Sequence, residues 1–211
     1  MLVSMCRQYT MELIKLMKYS TLDDLKVDII AGQIMSRVIA TDTDESPVSY
    51  KVLVPKAITS SGYIDTSELV TERFKSEADP KRITEIGDIV IKLTAPFDCA
   101  IVTEESAGCF IPSFCAIIKD PGQLRMPYLY AFLASKDCKE QLKSKVTGAI
   151  TSILSVGKLR EVEAPKPDDY VQEQIGRNYL VAQIKKRTMR RIIELEDLKN
   201  DVLFQELKNE K

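Results

Sequence analysis

Residues 169–211 read DYVQEQIGRN YLVAQIKKRT MRRIIELEDL KNDVLFQELK NEK, and no other stretch of the chain has this character. Just before it, Ala164-Pro165-Lys166-Pro167 stops whatever structure precedes, since each proline lacks an amide donor and restricts the residue ahead of it. No proline follows. Val181, Ile184, Thr188, Arg191, Leu195, Leu198 and Val202 recur at spacings of three and four, the seam of a helix that packs along another helix. Thr188 and Arg191 blemish that seam, while Met189, Ile192, Ile193, Leu203 and Phe204 widen the apolar surface around it. A helix of this length needs something to bury that surface: a partner helix, or its own domain if it folds back. Residues 169–211 are therefore expected to form a coiled-coil dimerisation or spacer helix.

Working back from that boundary, residues 20–168 carry mixed patterning. Val48, Tyr50, Val52 and Val54 suggest a half-buried strand that ends at Pro55. Asp88–Leu93, Cys99–Val102 and Phe114–Ile118 are short apolar runs, and Asp65, Gly87, Pro96, Gly108 and Pro121-Gly122 supply the breaks between them. This spacing predicts a curled, mostly antiparallel sheet. One helix is expected from Pro127 onward, with Tyr128, Ala131, Phe132, Cys138 and Leu142 near one face. The fold class is α+β. Residues 1–19 read as a short amphipathic helix through Met5, Tyr9, Leu13 and Leu16, and Thr21-Leu22-Asp23-Asp24 is placed to cap a second one.

Composition narrows the function. The chain of 211 residues has a formal charge of −1 and no histidine, so no global positive field draws it to nucleic acid and no nucleophile–histidine–acid arrangement exists. Charge is distributed unevenly, with thirteen acidic and seven basic residues over Thr41–Phe110 against nine basic and five acidic over Lys119–Lys166. Lys185, Lys186, Arg187, Arg190 and Arg191 then crowd together. Cys6, Cys99, Cys109, Cys115 and Cys138 form no CxxC pair and read as reduced thiols of a cytoplasmic protein, with no metal site expected. Met1–Lys18 is interrupted by Arg7, Glu12, Lys15 and Lys18, so neither a signal sequence nor a membrane span is expected there. Neither a glycine turn for adenosylmethionine nor an Asn/Asp-Pro-Pro-aromatic motif occurs, and there is no GxxxxGK loop. Pro167-Asp168 with Asp197-Leu198-Lys199 loosely fits the acid-x-Lys pattern of metal-dependent nucleases, but the same triplet occurs at Asp24–Lys26, Asp137–Lys139 and Glu206–Lys208. No catalytic residue and no cofactor are expected.

The order of segments resembles the specificity subunit of type I restriction-modification systems, and half of one. The resemblance is carried by Leu22-Asp23-Asp24-Leu25, Ala31-Gly32-Gln33-Ile34, Ile86-Gly87-Asp88-Ile89-Val90 and Pro112–Ile118. Tyr128–Leu133, Thr147-Gly148-Ala149-Ile150, Leu159–Pro167 and Gln172-Glu173-Gln174-Ile175 continue it, in that order, over roughly Leu22 to Lys199. It implies a globular target-recognition domain joined to a helix that forms an antiparallel coiled coil. Full-length members hold two such units, each reading half of a split site in double-stranded DNA. They dock adenine-specific DNA methyltransferase subunits and a motor-nuclease subunit. With one unit, the chain would act alone as a homodimer, pair with a different half-length subunit, or be a silent cassette. Met1–Lys18 departs from the family pattern by preceding its usual start. A DNA-binding regulator or coiled-coil adaptor unconnected with restriction is the alternative.

A reader of the major groove needs long donors and amides on exposed loops. Four loops offer them: Gly32–Arg37 with Gln33, Ser36 and Arg37; Pro55–Tyr63 with Lys56, Ser60, Ser61 and Tyr63; Lys92–Phe97 with Lys92 and Thr94; and Lys145–Ser152 with Thr147. Lys136, Lys139, Lys143 and Lys145 are the phosphate candidates, while the cations at Lys185–Arg191 touch phosphate or flank the seam. The pairing helix would use Val181, Ile184, Leu195, Leu198 and Val202.

Overall fold

A computed structural model describes residues 18–42, 44, 46–146 and 153–209. The expected helix within residues 1–17 lies outside them, and Tyr19 already belongs to a strand.

Among the described residues nine strands form three sheets. The central sheet has the order β2 (Asp28–Ala31), β8 (Cys115–Asp120), β5 (Ile89–Lys92), β6 (Cys99–Ile101), all antiparallel. A second sheet pairs β4 (Val70–Phe74) with β3 (Val48–Val52) antiparallel, and β3 with β7 (Cys109–Phe110) parallel. The third joins β1 (Tyr19–Thr21) to β9 (Glu163–Pro165) across almost the whole domain. The mostly antiparallel character is as expected, and the strands divide among three sheets.

The central strands read as unbroken apolar runs because both faces of their sheet are covered. Ile89, Ile91, Ala116 and Ile118 point into a core shared with the helices, where Leu129, Leu133, Cys138 and Leu142 are buried. Val90, Cys115 and Ile117 alternate to the other face, against Leu53, Ile58 and Ile111. The second sheet has a core of its own, in which Phe110 meets Phe74 edge-on at 4.7 Å. The half-buried strand from Val48 stops at Val52, and the chain enters a 3-10 turn at Pro55–Ala57.

The helix expected from Pro127 is two helices. In α1 (Met126–Leu133) every residue from Tyr128 to Leu133 is buried. The chain then breaks at Ala134-Ser135, and the Ser135 hydroxyl accepts from the Cys138 amide at 3.2 Å to cap α2 (Lys136–Lys145). Thr21 does act as a cap, its Oγ1 accepting from the Asp24 amide at 3.0 Å, but the chain makes a turn there and not a helix, closed by a left-handed Lys26. A short α3 (Val156–Arg160) precedes β9.

Last comes α4, Asp169–Asn209, forty-one residues long. Its first turns lie against α1. Buried Gln172 bridges the two helices, accepting from the Arg125 amide at 2.8 Å and donating to the Pro167 carbonyl at 3.0 Å. At Gly176 a Cβ would stand 2.7 Å from Pro127 Cβ and 2.8 Å from the Tyr128 backbone nitrogen, so only glycine permits this approach. Tyr179 packs edge-on to Tyr130 at 5.0 Å. From Lys185 to Glu206 every residue is exposed, including Ile184's seam successors Leu195, Leu198 and Val202. The helix does not fold back on its domain.

Candidate nucleic-acid interface

The register of the central sheet decides which loops meet. Ala31 pairs with Ala116, Lys92 with Cys115, and Ile91 with Cys99. The C-terminal ends of β2 and β5 and the N-terminal ends of β6 and β8 thus lie at one edge of the molecule. Backbone bonds knit their continuations together: Gly32 N to Cys115 O at 3.0 Å, Gln33 N to Ile111 O at 3.1 Å, and Leu93 N to Phe114 O at 2.8 Å. Gly32 is required, because a side chain there would strike the Pro112 carbonyl. Leu154 N donates to Leu93 O at 2.7 Å, which brings the chain leaving residues 147–152 to the same end. Loops far apart in sequence thereby share one surface.

On that surface Gln33 is half-buried in a bridge to Pro112, and just after it Ser36 and Arg37 are exposed in a 3-10 turn. No ion pair engages Arg37 among the described residues. Thr94 is half-buried, its carbonyl accepting from Phe97 N at 2.8 Å. Thr147 lies outside the described residues.

Lys92 and Lys139 have a different role from the free donors expected of them. Asp98 is buried between β5, β6 and α2, and its two oxygens take Lys92 Nζ at 3.4 Å and Lys139 Nζ at 2.9 Å. A buried carboxylate left alone would be costly, so this carboxylate claims both cations. Sequence reading missed Asp98; its place directly after a turn and before an apolar strand was the signal. Lys145 leans on Glu161 at 3.8 Å, and Lys136 on Glu140 at 3.6 Å with its side chain 91% exposed. Of the four phosphate candidates Lys136 and Lys143 are exposed, and Lys139 and Lys145 are half-buried.

The loop Pro55–Tyr63 lies elsewhere. Lys56 pairs with Glu68, and Ser60 and Ser61 form the tip of a turn held by Thr59, whose hydroxyl donates to Tyr63 O at 2.9 Å. Tyr63 itself faces the root of α4, at the Ile101 end of β6 and not the Cys99 end. The Arg187 guanidinium lies 5.7 Å from its ring centroid, and Arg190 Nη1 donates to its hydroxyl at 3.5 Å. Tyr63, Asp65, Thr66 and Ser67 on one wall and Arg187, Arg190, Arg191 and Glu194 on the other enclose an open cleft of about 520 Å³.

Nucleophilic or metal chemistry finds little material. Burial pushes the Cys99 and Cys115 thiols up to about 12, and no group of three potential metal ligands occurs among the described residues. The acid-x-Lys reading fails on distance. Asp168 caps the start of α4, accepting from Val171 N at 2.9 Å, and Asp197 lies about 43 Å further along the same helix. No described helix is long and apolar enough to cross a membrane.

No family model matches the chain, and no curated protein matches it in sequence. Solved structures do share its fold. The HsdS subunit from Thermoanaerobacter tengcongensis aligns at TM-score 0.56 and 17% identity, over 89% of this chain and 47% of that one. A chain from a structural study of assembly and conformational transition in the type I R-M system aligns at TM-score 0.55 and 16% identity, over 87% and 42%. The type-I restriction-modification S subunit from M. genitalium aligns at TM-score 0.52 and 17% identity, over 85% and 42%. The α+β domain with its long terminal helix is thus the fold of these S subunits, and the chain spans less than half the length of each.

Proposed function

We propose that this chain is a sequence-reading DNA-binding unit of a type I restriction-modification specificity subunit, without catalysis of its own. It would direct methyltransferase and nuclease partners to a split site. The observation that carries this is the shared fold over 89% of the chain. The convergence of Gly32–Arg37, Lys92–Phe97 and Leu154 at one end of the sheet supports it, since a groove reader needs several loops on one face. Arg37, Ser36 and Gln33 are the base-reading residues we favour, and Lys136 and Lys143 the phosphate contacts.

The chain would pair through α4. The exposed seam Val181, Ile184, Leu195, Leu198 and Val202 needs a cover. The helix is also electrically polar: Gln174–Ile193 holds six basic residues and no acidic one, while Glu194–Lys208 holds five acidic and two basic. Antiparallel pairing lays each acidic tip along the other's basic root, whereas parallel pairing would set like against like. A two-fold pair reads an inverted repeat divided by a gap that the helices measure.

Selection from a pool of random duplexes tests this. The expected product is an inverted repeat with a fixed gap, and a coexpressed adenine methyltransferase subunit should co-purify. Binding without any sequence preference would sink the proposal. A preferred sequence with no methyltransferase recruited would point to a DNA-binding regulator.

A further inference from the structure

We propose that the cleft between Tyr63 and the root of α4 is a second contact with DNA, one that grips a backbone phosphate through Arg187 and Arg190. The inference rests on the DNA-binding reading above and adds a site on the helix, away from the loops at the sheet end.

The two arginines are not part of the seam. At 3.6 residues per turn, Arg190 continues the stripe of Gln172, Gly176 and Gln183 that faces the domain, about 100° round the helix from the seam. Pairing of two helices therefore leaves it open. Where the domain ends, that stripe passes from glutamine and glycine to arginine, with Tyr63 standing against it. The phenol and ring aim both guanidiniums into the cleft, and the exposed Thr66 adds a hydroxyl from the facing wall, where the Ser67 hydroxyl donates to Asp65 at 2.6 Å. Planar forked donors in pairs suit a phosphate.

The acidic neighbours do not cancel the site. Asp65 is occupied in its own turn, accepting from Ser67 N at 3.0 Å. Glu105 holds Arg187 at 2.7 Å, but both side chains are largely exposed, and pairs of that kind contribute little and exchange readily. No carboxylate pairs with Arg190 among the described residues. An entering phosphate would take Arg190 directly and draw Arg187 from Glu105. Glu194, in the cleft wall itself, is held by Arg191 at 3.4 Å, and beyond it the same stripe carries Asp197 and Asp201, which confines the contact to the helix root.

The test measures affinity for a random-sequence 30-bp duplex against salt concentration, using the full chain. Arg187→Gln with Arg190→Gln should weaken binding about ten-fold or more at low salt and flatten the log–log salt slope by about 0.9 per chain, the share of one phosphate contact. Arg190→Lys should keep the slope, and Glu105→Gln, which frees Arg187, should tighten binding several-fold. Circular dichroism and light scattering of each variant establish that fold and pairing persist. An unchanged slope in the double variant, with the wild type binding normally, overturns this site alone. Loss of self-association with an unchanged slope overturns it in favour of the partner's acidic tip. If the wild type binds no duplex at low salt, the DNA-binding reading fails and the site falls with it.

Discussion

The first and last halves of α4 are one unbroken helix under opposite regimes. From Asp169 to Ile184 it is built into the domain: Gln172 bridges to α1, Gly176 touches its backbone, and Tyr179 meets Tyr130. From Lys185 to Glu206 every residue is exposed, with Met189 at 63%, Leu198 at 57% and Phe204 at 67%. Most helical stability in proteins comes from packing of an apolar face, so the distal half borrows its order from the anchored root until another surface covers it. Continuity of secondary structure is thus no measure of local support. The root is stabilised by its own fold; in the proposed pair the tip would be stabilised by association.

The sharpest way to break that contrast is Leu195→Asp with Leu198→Asp. An antiparallel pair would bury four unpaired carboxylates, at a cost of about 5 kcal/mol or more, so self-association should weaken at least a thousand-fold in sedimentation. The melting of the domain should barely move. A wild-type chain that is monomeric at tens of micromolar would remove homodimer pairing and leave a different half-length partner as the cover.

Next in size is a truncation on each side of the boundary. Leu129→Ala, in the core, should cost about 3 kcal/mol in chemical denaturation. Leu203→Ala should leave monomer stability within about 0.5 kcal/mol. Equal effects would mean the tip is packed after all.

Gln172→Ala probes the root directly. It strips the Arg125 amide and the Pro167 carbonyl of their partner, which should cost about 1–3 kcal/mol and speed amide exchange in residues 169–184 ahead of the core strands. Exchange that quickens only globally would show that the root has no separate anchoring.

The smallest expected effect separates reading from holding. Arg37→Ala should cost about 1–2 kcal/mol of discrimination between the preferred site and random DNA. Lys136→Gln with Lys143→Gln should weaken both alike and flatten the salt slope. Identical behaviour in competition binding would erase the division.

Much of the architecture is legible because it is written in local periodicity. The 3.6-residue pattern after Pro167 marks α4, and the runs at Ile89 and Cys115 mark buried strands. What is illegible comes from distance along the chain. No local signal pairs Tyr19–Thr21 with Glu163–Pro165, or divides the strands among three sheets. The break at Ser135 is readable in principle, since Ser135 stands two residues before Asp137 at a helix start; the apolar pattern running across it hides the cap. The candidate site divides the same way. Residue type points to Arg37 and Ser36, which are exposed, but type cannot show that Lys92 and Lys139 converge on one carboxylate, or that Tyr63 turns from the other loops toward Arg190.

The close approach at Gly176 has a mechanical consequence. From Gly176 to Arg187 the anchored helix is about 16 Å long, and from Arg187 to its end about 33 Å. It is a lever with the longer arm free. A side chain in place of the Gly176 hydrogen, lifting that point by about 1 Å, would tilt the axis by some 3–4° and swing the far end by about 2 Å. Across the proposed symmetric pair the two swings would add, and the separation of the two recognition domains would change by a sizeable part of one base-pair step, about 3.4 Å. One missing methyl group would then calibrate a ruler whose graduations are base pairs.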